Sequence, residues 1–271
     1  MGGCGQDCRR QIRLITLVAV EVHGSVVNVT LSNPAKLNAV SRAMWRELRA
    51  AFECIAANPD LRCVVLAGQG EHFSSGGDIS EYAAFRFNEA SLREFHEVDV
   101  WGGLKAMLDC NLPIIARIEG NCMGAGLEIA SCCDIRLAST TARFGAPIAR
   151  LGFPMAPREA ALVMGAVGEL TAREMMLAAS VLGAPQMQQC GFLNSVHNPV
   201  DLRLAVQNYV DRIGQLAPNA TAMNKQCFRA LDHVMRAQAA TDLIANAYDY
   251  APSNEHREGV TAFVEKRAPK F

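Results

Sequence analysis

Two glycine-rich stretches and one carboxylate are the residues of this chain best suited to chemistry. Phe73-Ser74-Ser75-Gly76-Gly77-Asp78-Ile79 follows the apolar run Cys63–Ala67, and Gly120-Asn121-Cys122-Met123-Gly124-Ala125-Gly126-Leu127-Glu128 follows Pro113–Glu119. Each stretch is expected to open a helix. The first N–H groups of a helix lack an internal acceptor and lie at the positive end of its dipole. Glycine lets a ligand approach that backbone closely. Two such ends converging on one point would stabilise a developing oxyanion. Glycine after a strand also marks simple tight turns, so either stretch alone would say little. No Gly-Lys-Ser/Thr follows to make a P-loop, and the Gly-x-Gly-x-x-Gly order of a dinucleotide site is absent.

Glu128 lies three residues beyond Ala125, one turn along the same expected helix and on the same side. It stands among Leu127, Ile129 and Ala130, where an unpartnered ionised carboxylate is unfavourable. Two roles are therefore open: an acid or base of raised pKa, or a structural ion pair with an arginine such as Arg136 or Arg143. Glu159 follows Pro157-Arg158 at an expected helix start, where acids are favoured for electrostatic reasons alone. It is the weaker catalytic candidate.

The elements that must hold these groups are legible as periods. Leu14–Glu21 and Val26–Leu31 are β-branched runs flanking His23-Gly24-Ser25, a hairpin pattern. Met44, Leu48, Phe52 and Ile55 mark a helix over Ser41–Ala57, closed by Asn58-Pro59. Cys63–Ala67, Pro113–Glu119 and Asp134–Ala138 read as buried strands, and their alternation with helices implies an α/β layering. Tyr82, Phe85, Phe87, Phe95 and Trp101 in Ser80–Leu108 suit core packing or an acyl-binding face. From Pro199 the pattern is helical. Leu202, Val206, Val210, Ile213 and Leu216 share one face, and Asn219–Met235, Ala239–Tyr248 and Asn254–Lys266 follow. The division expected is a core over 1–198 and a helical region over 199–271 that docks on the core or on another subunit.

Composition narrows the function classes. The chain has 271 residues, half of them hydrophobic and a fifth charged, enough for a substantial core. Its 26 basic and 27 acidic residues leave a formal charge of −1, which offers no general attraction for nucleic acid. Uninterrupted apolar runs are too short for a membrane span. The ten cysteines form no disulfide-framework or metal-ligand spacing, so reduced thiols and a cytoplasmic location are expected. The N-terminus lacks the order of a signal peptide, and Gln6 replaces the Ser or Thr of a myristoylation pattern.

The ordered set of motifs resembles the crotonase superfamily, the enoyl-CoA hydratase/isomerase group. It runs through Asn33-Pro34 to Asn38-Ala39, Ser74–Ile79, Pro113–Glu128, Cys133-Asp134-Ile135, Phe144-Gly145, Leu151-Gly152 and Arg257–Arg267. The resemblance implies an α/β fold, a spiral of β-β-α turns with a C-terminal α-helical region that assembles homotrimers or homohexamers. It implies an acyl-CoA thioester whose carbonyl oxygen accepts from the N–H groups of Gly77 and Ala125. It also implies CoA or acyl contacts from Lys36, Leu37, Ala39, Gly76, Gly77, Asp78, Ile79, Ser80, Gly124, Ala125, Ile148, Phe263 and Lys266. No metal or cofactor beyond the CoA of the substrate is implied. For Lys36 and Lys266 a plain solvated role is the alternative.

Two departures from the family pattern matter. Ala125 stands where glycine is usual, but it keeps the N–H. Ile148 follows Phe144-Gly145-Ala146-Pro147 where hydratases carry their second glutamate, and isoleucine transfers no proton. A positioned acid or base is worth about 10²–10⁴ in rate, so ordinary syn-hydration of an enoyl-CoA is expected to be seriously impaired. Isomerisation, decarboxylation and acyl-CoA binding without turnover remain as alternatives, and Glu159 is the residue that could replace the missing acid.

Overall fold

The computed structural model describes residues 17–236 and 248–270; Cys4, Cys8, Leu14–Thr16 and most of Ala239–Tyr248 lie outside the described residues. Alternating side chains fold β1 (Val18–His23) antiparallel onto β2 (Val26–Leu31), with Val18 opposite Leu31 and His23 opposite Val26. The later strands are β3 (Cys63–Gly68), β4 (Ile114–Ile118), β5 (Asn121–Met123), β6 (Ile135–Ser139), β7 (Arg143–Gly145), β8 (Val181–Gly183) and β9 (Ser195–His197). They form a six-stranded sheet of order β1-β2-β3-β4-β6-β9, parallel from β2 onward, and a small sheet of order β5-β7-β8. Parallel neighbours need long crossovers. Here β4 and β6 each pass first through a strand of the small sheet and then into a helix.

The helices are α1 (Arg42–Ala56), α2 (Glu89–Glu94), α3 (Trp101–Asp109), α4 (Ala125–Ser131), α5 (Pro157–Val167), α6 (Glu169–Leu177), α7 (Ala184–Gln189), α8 (Pro199–Gly214), α9 (Pro218–Arg236) and α10 (Asn254–Val264). Ser41 caps α1 by accepting from the Met44 N–H at 3.1 Å, and the Met44, Trp45, Leu48, Phe52 and Ile55 stripe is buried. Between α2 and α3 the backbone takes a π-helical path over Phe95–Val100, which the 3.6-residue period did not announce. The second glycine stretch likewise contains a strand, β5, that its three residues were too short to signal.

The C-terminal helices are placed by their apolar stripes. Leu202, Val206, Val210 and Ile213 of α8 pack on Cys63, Ile115 and Leu137 of the large sheet, whereas Leu216 stays exposed. Lys225 of α9 donates to the Leu112 carbonyl at 2.9 Å and pairs with Asp134 at 2.7 Å. α10 returns to the other side of the molecule, where Gly259 meets the Leu151-Gly152 backbone. A Cβ at Gly259 would lie 2.6 Å from the Gly152 nitrogen and closer still to the Leu151 carbonyl.

Backbone cannot yield as a flexible side chain can, so Gly259→Ala is expected to destabilise the protein by about 1–3 kcal/mol. The midpoint of urea unfolding measures it. An unchanged midpoint would contradict so close a docking of α10.

Candidate active site

The first glycine stretch is shaped by a polar scaffold. Ser74 forms a single parallel rung with Cys122: its N–H donates to the Asn121 carbonyl at 2.8 Å, and its own carbonyl accepts from Met123 at 3.0 Å. The buried Asn38 side chain donates to the carbonyls of Gln69 and His72 at 2.9 and 2.7 Å and accepts from the Asn33 N–H. Gly76 sits at φ +108°, open to glycine and strained for other residues. Val40 then donates to the Gly76 carbonyl at 2.8 Å and accepts from Asp78 at 2.9 Å. In such a parallel rung the flanking residues supply both bonds. Gly77 itself is thus left with a free N–H, for which the described residues provide no acceptor.

The second stretch reaches the same place from the next turn of the fold. Gly124, at φ +45° and ψ −111°, turns the chain from β5 into α4, and its N–H is used on the Gly145 carbonyl at 2.9 Å. Ala125 is the first residue of α4, so its N–H has no helical acceptor. The two stretches touch where side chains are missing: a Cβ at Gly124 would lie 3.8 Å from the Gly76 Cα, and one at Gly126 would lie 2.8 Å from the Ser74 Cβ.

Gly76, Gly77, Gly124, Ala125 and Glu128 line one cavity of about 400 Å³, within the usual range for small-molecule sites. Ile148 forms part of its apolar wall. Burial pushes the Glu128 carboxyl up to about 8; the neighbouring Glu159 charge adds to the rise and the Arg86 guanidinium opposes it. Glu128 is therefore mainly protonated at neutral pH and able to donate. Neither Arg136 nor Arg143 pairs with it. Arg136 is committed to the carbonyls of Phe192, Cys133 and Ala130.

Several charged and polar groups of the cavity wall carried no signal in the sequence. Arg86 is buried, with its Cζ 4.4 Å from the Tyr82 ring centre and 3.9 Å from that of Phe153. It donates to the Tyr250 hydroxyl at 3.1 Å and approaches the Nε2 atoms of His256 and His96, each at 3.4 Å. Tyr82, Arg86 and His96 all line the cavity. Burial pushes the Tyr82 hydroxyl up to about 12, so it stays a donor. Glu159 is buried and lies outside the cavity lining, its Oε1 3.0 Å from the His96 Nδ1.

The other residues named from sequence divide by position. Ile79 and Phe263 line the cavity, and Phe263 is largely exposed. Lys36, Leu37, Ala39, Asp78, Ser80 and Lys266 do not. Lys36 pairs with Asp78 at 2.7 Å and donates to the Ser80 hydroxyl at 2.8 Å, while Asp78 caps the short helix Ile79–Ala84. Leu37 is exposed and Ala39 is buried. Arg150 and Arg267 stand in the lining instead. Among the described residues no group of three or more His, Cys, Asp or Glu is arranged to hold a metal ion, and no helix is long and apolar enough to cross a membrane.

Comparison with known proteins shows which family the chain is similar to. The family model described as enoyl-CoA hydratase/isomerase matches residues 21–271. The 2,3-dehydroadipyl-CoA hydratase of Escherichia coli is 31% identical over 91% of this chain and 94% of its own length. A "Probable enoyl-CoA hydratase" of Mycobacterium leprae is 28% identical over 94% of this chain and 97% of its own. A solved structure described as an enoyl-CoA hydratase/carnithine racemase from Magnetospirillum magneticum superposes with a TM-score of 0.79, at 31% identity, covering 95% of this chain and 96% of that one.

The raised proton affinity of Glu128 is open to direct test. Infrared difference spectra between the protein and Glu128→Gln should show a carboxylic acid band lost with a midpoint near pH 8, where burial places it. A band already lost by pH 5 would show that the carboxyl is solvated.

Proposed function

The chain belongs to the enoyl-CoA hydratase/isomerase family and is an enzyme acting on CoA thioesters, and from that premise we propose that it works through a thioester enolate with Glu128 as its proton carrier. The observation that carries this is that Gly77 and Ala125, whose N–H groups have no acceptor among the described residues, line a single cavity with Glu128, whose proton affinity burial raises. The thioester oxygen accepts from Gly77 and Ala125, and enolate charge gathers on it as a proton leaves or reaches C2. A donor of this kind is worth about 3–4 kcal/mol of barrier. CoA would run along the Lys36, Leu37, Ala39 and Gly76–Ser80 region towards Phe263 and Lys266, with Arg150 and Arg267 at the same mouth. No cofactor beyond the thioester is called for.

Ile148 supports a one-carboxylate reaction. In double-bond isomerisation Glu128 removes a proton from C2 of a 3-enoyl thioester and returns it at C4. The protonated resting state of Glu128 favours a second reading, decarboxylation: loss of CO₂ leaves the enolate, and Glu128 protonates it. Assembly into a homotrimer or homohexamer accompanies the proposal, supported by exposed apolar residues such as Leu204 and Phe228.

A panel of 2-enoyl, 3-enoyl and malonyl-type CoA thioesters tests both. Glu128→Gln should lower turnover by about 10²–10⁴ while thioester binding persists. Isomerisation should rise with pH towards the Glu128 midpoint near 8, because it starts from the carboxylate; decarboxylation should fall above it, because it ends with the acid. Full activity in Glu128→Gln would refute the assignment.

A further inference from the structure

The acid missing at position 148 has a counterpart elsewhere on the cavity wall. His96 lies in the π-helical stretch Phe95–Val100, a backbone form that recurs at functional sites. Its side chain is only partly buried, and it lines the cavity that Glu128 lines. Its Nδ1 is 3.0 Å from Oε1 of the buried Glu159, 63 residues away in sequence. Its Nε2 faces Arg86 Nη1 at 3.4 Å. An arginine can only donate, so Nε2 carries the lone pair and the proton sits on Nδ1, donated to Glu159. That is the arrangement in which a carboxylate orients a histidine base. The Arg86 contact is long for a hydrogen bond, and the reaction requires a water in its place.

We propose that His96, oriented by Glu159, is the second proton-transfer group of this pocket, acting where the acid absent at position 148 would act. The inference rests on Glu128 as the first such group and gives it a partner. A water gives one proton to His96 Nε2 as its oxygen bonds to C3 of a 2-enoyl thioester. The displaced electron pair forms the enolate held by Gly77 and Ala125. Glu128 then gives its proton to C2, and the product is a 3-hydroxyacyl thioester. The imidazolium returns its proton to the Glu128 carboxylate through solvent, which closes the cycle. Glu159 touches no reacting atom and is a positioning residue.

The surroundings suit these roles. Burial pushes the His96 imidazole below its ordinary 6.5; Glu159 resists, Arg86 adds to the fall and Glu97 opposes it. Tyr248 stacks on the ring at 5.5 Å, and His256 shares Arg86 with it. At neutral pH the base is therefore neutral and Glu128 carries its proton, an inverted pair of the kind that separates acid from base.

The test measures 2-enoyl-CoA hydration and 3-enoyl-CoA isomerisation by the full-length protein across pH, with thioester binding checked calorimetrically for every variant. The wild-type hydration profile should have an acid limb below 6.5 and a basic limb near 8. His96→Gln should lower hydration kcat by about 10²–10⁴, move KM by less than about fivefold and abolish the acid limb. His96→Asn provides the second case should the glutamine variant not fold. Glu159→Gln should shift the acid limb to lower pH, since a negative neighbour is lost, and Glu159→Asp should restore part of the rate. Hydration within about threefold of wild type in both His96 variants, acid limb intact, would overturn the proposal. So would a wild-type protein that isomerises through Glu128 and hydrates nothing. Loss of neither activity in Glu128→Gln would instead overturn the reading of Glu128.

Discussion

The site depends on two amide groups that the fold declines to use. Backbone donors on either side of them are committed: Gly76 to Ser74, Asp78 to Val40, Gly124 to Gly145 and Glu128 to Gly124. Gly77 escapes because a parallel rung takes its bonds from the residues on either side, and Ala125 escapes because it begins a helix. The two come together only because the loops touch at glycines. A side chain at Gly126 would push Ser74 away, and with it the segment that carries Gly77. Unsatisfied donors of this kind are costly beside apolar surface, and in the proposed mechanism a thioester oxygen would relieve both at once.

Charge around the cavity follows from the same enclosure. Glu128 has no direct ion pair among the described residues, so burial raises its proton affinity. Arg86 is buried among aromatic rings, and its interaction with Glu159 runs through the His96 ring. The C-terminal segment completes this network from behind. Tyr250 and His256 hold Arg86, Tyr248 donates to Glu97 at 2.7 Å, and Gly259 lets α10 rest on the turn that precedes α5. The helical tail therefore contributes to the wall of the site as well as to the surface.

What could be read in advance was local. The hairpin at Gly24, the stripe of α1, and strands β3, β4 and β6 all follow from periodicity and turn residues. The two glycine stretches were legible only as a pair, each placed between an expected strand and an expected helix. The Glu128 position was legible because it shares a helical face with Ala125. The His96–Glu159 and Arg86–Tyr250 contacts span 63 and 164 residues, and no spacing rule announces them. His96 was hidden further, because the aromatics around it read as core and a π-helical path breaks the expected period. Lys36 and Lys266, named from the resemblance, lie away from the cavity lining, while Arg150 and Arg267 fall within it.

The central claim is that one oxygen is shared between two distant amides, and a crystal structure with a non-reactive acyl-CoA analogue tests it most directly. The thioester oxygen should lie about 2.7–3.1 Å from both the Gly77 and the Ala125 nitrogens, with Glu128 facing C2. An analogue bound with that oxygen in solvent, or on only one of the two amides, would contradict the account.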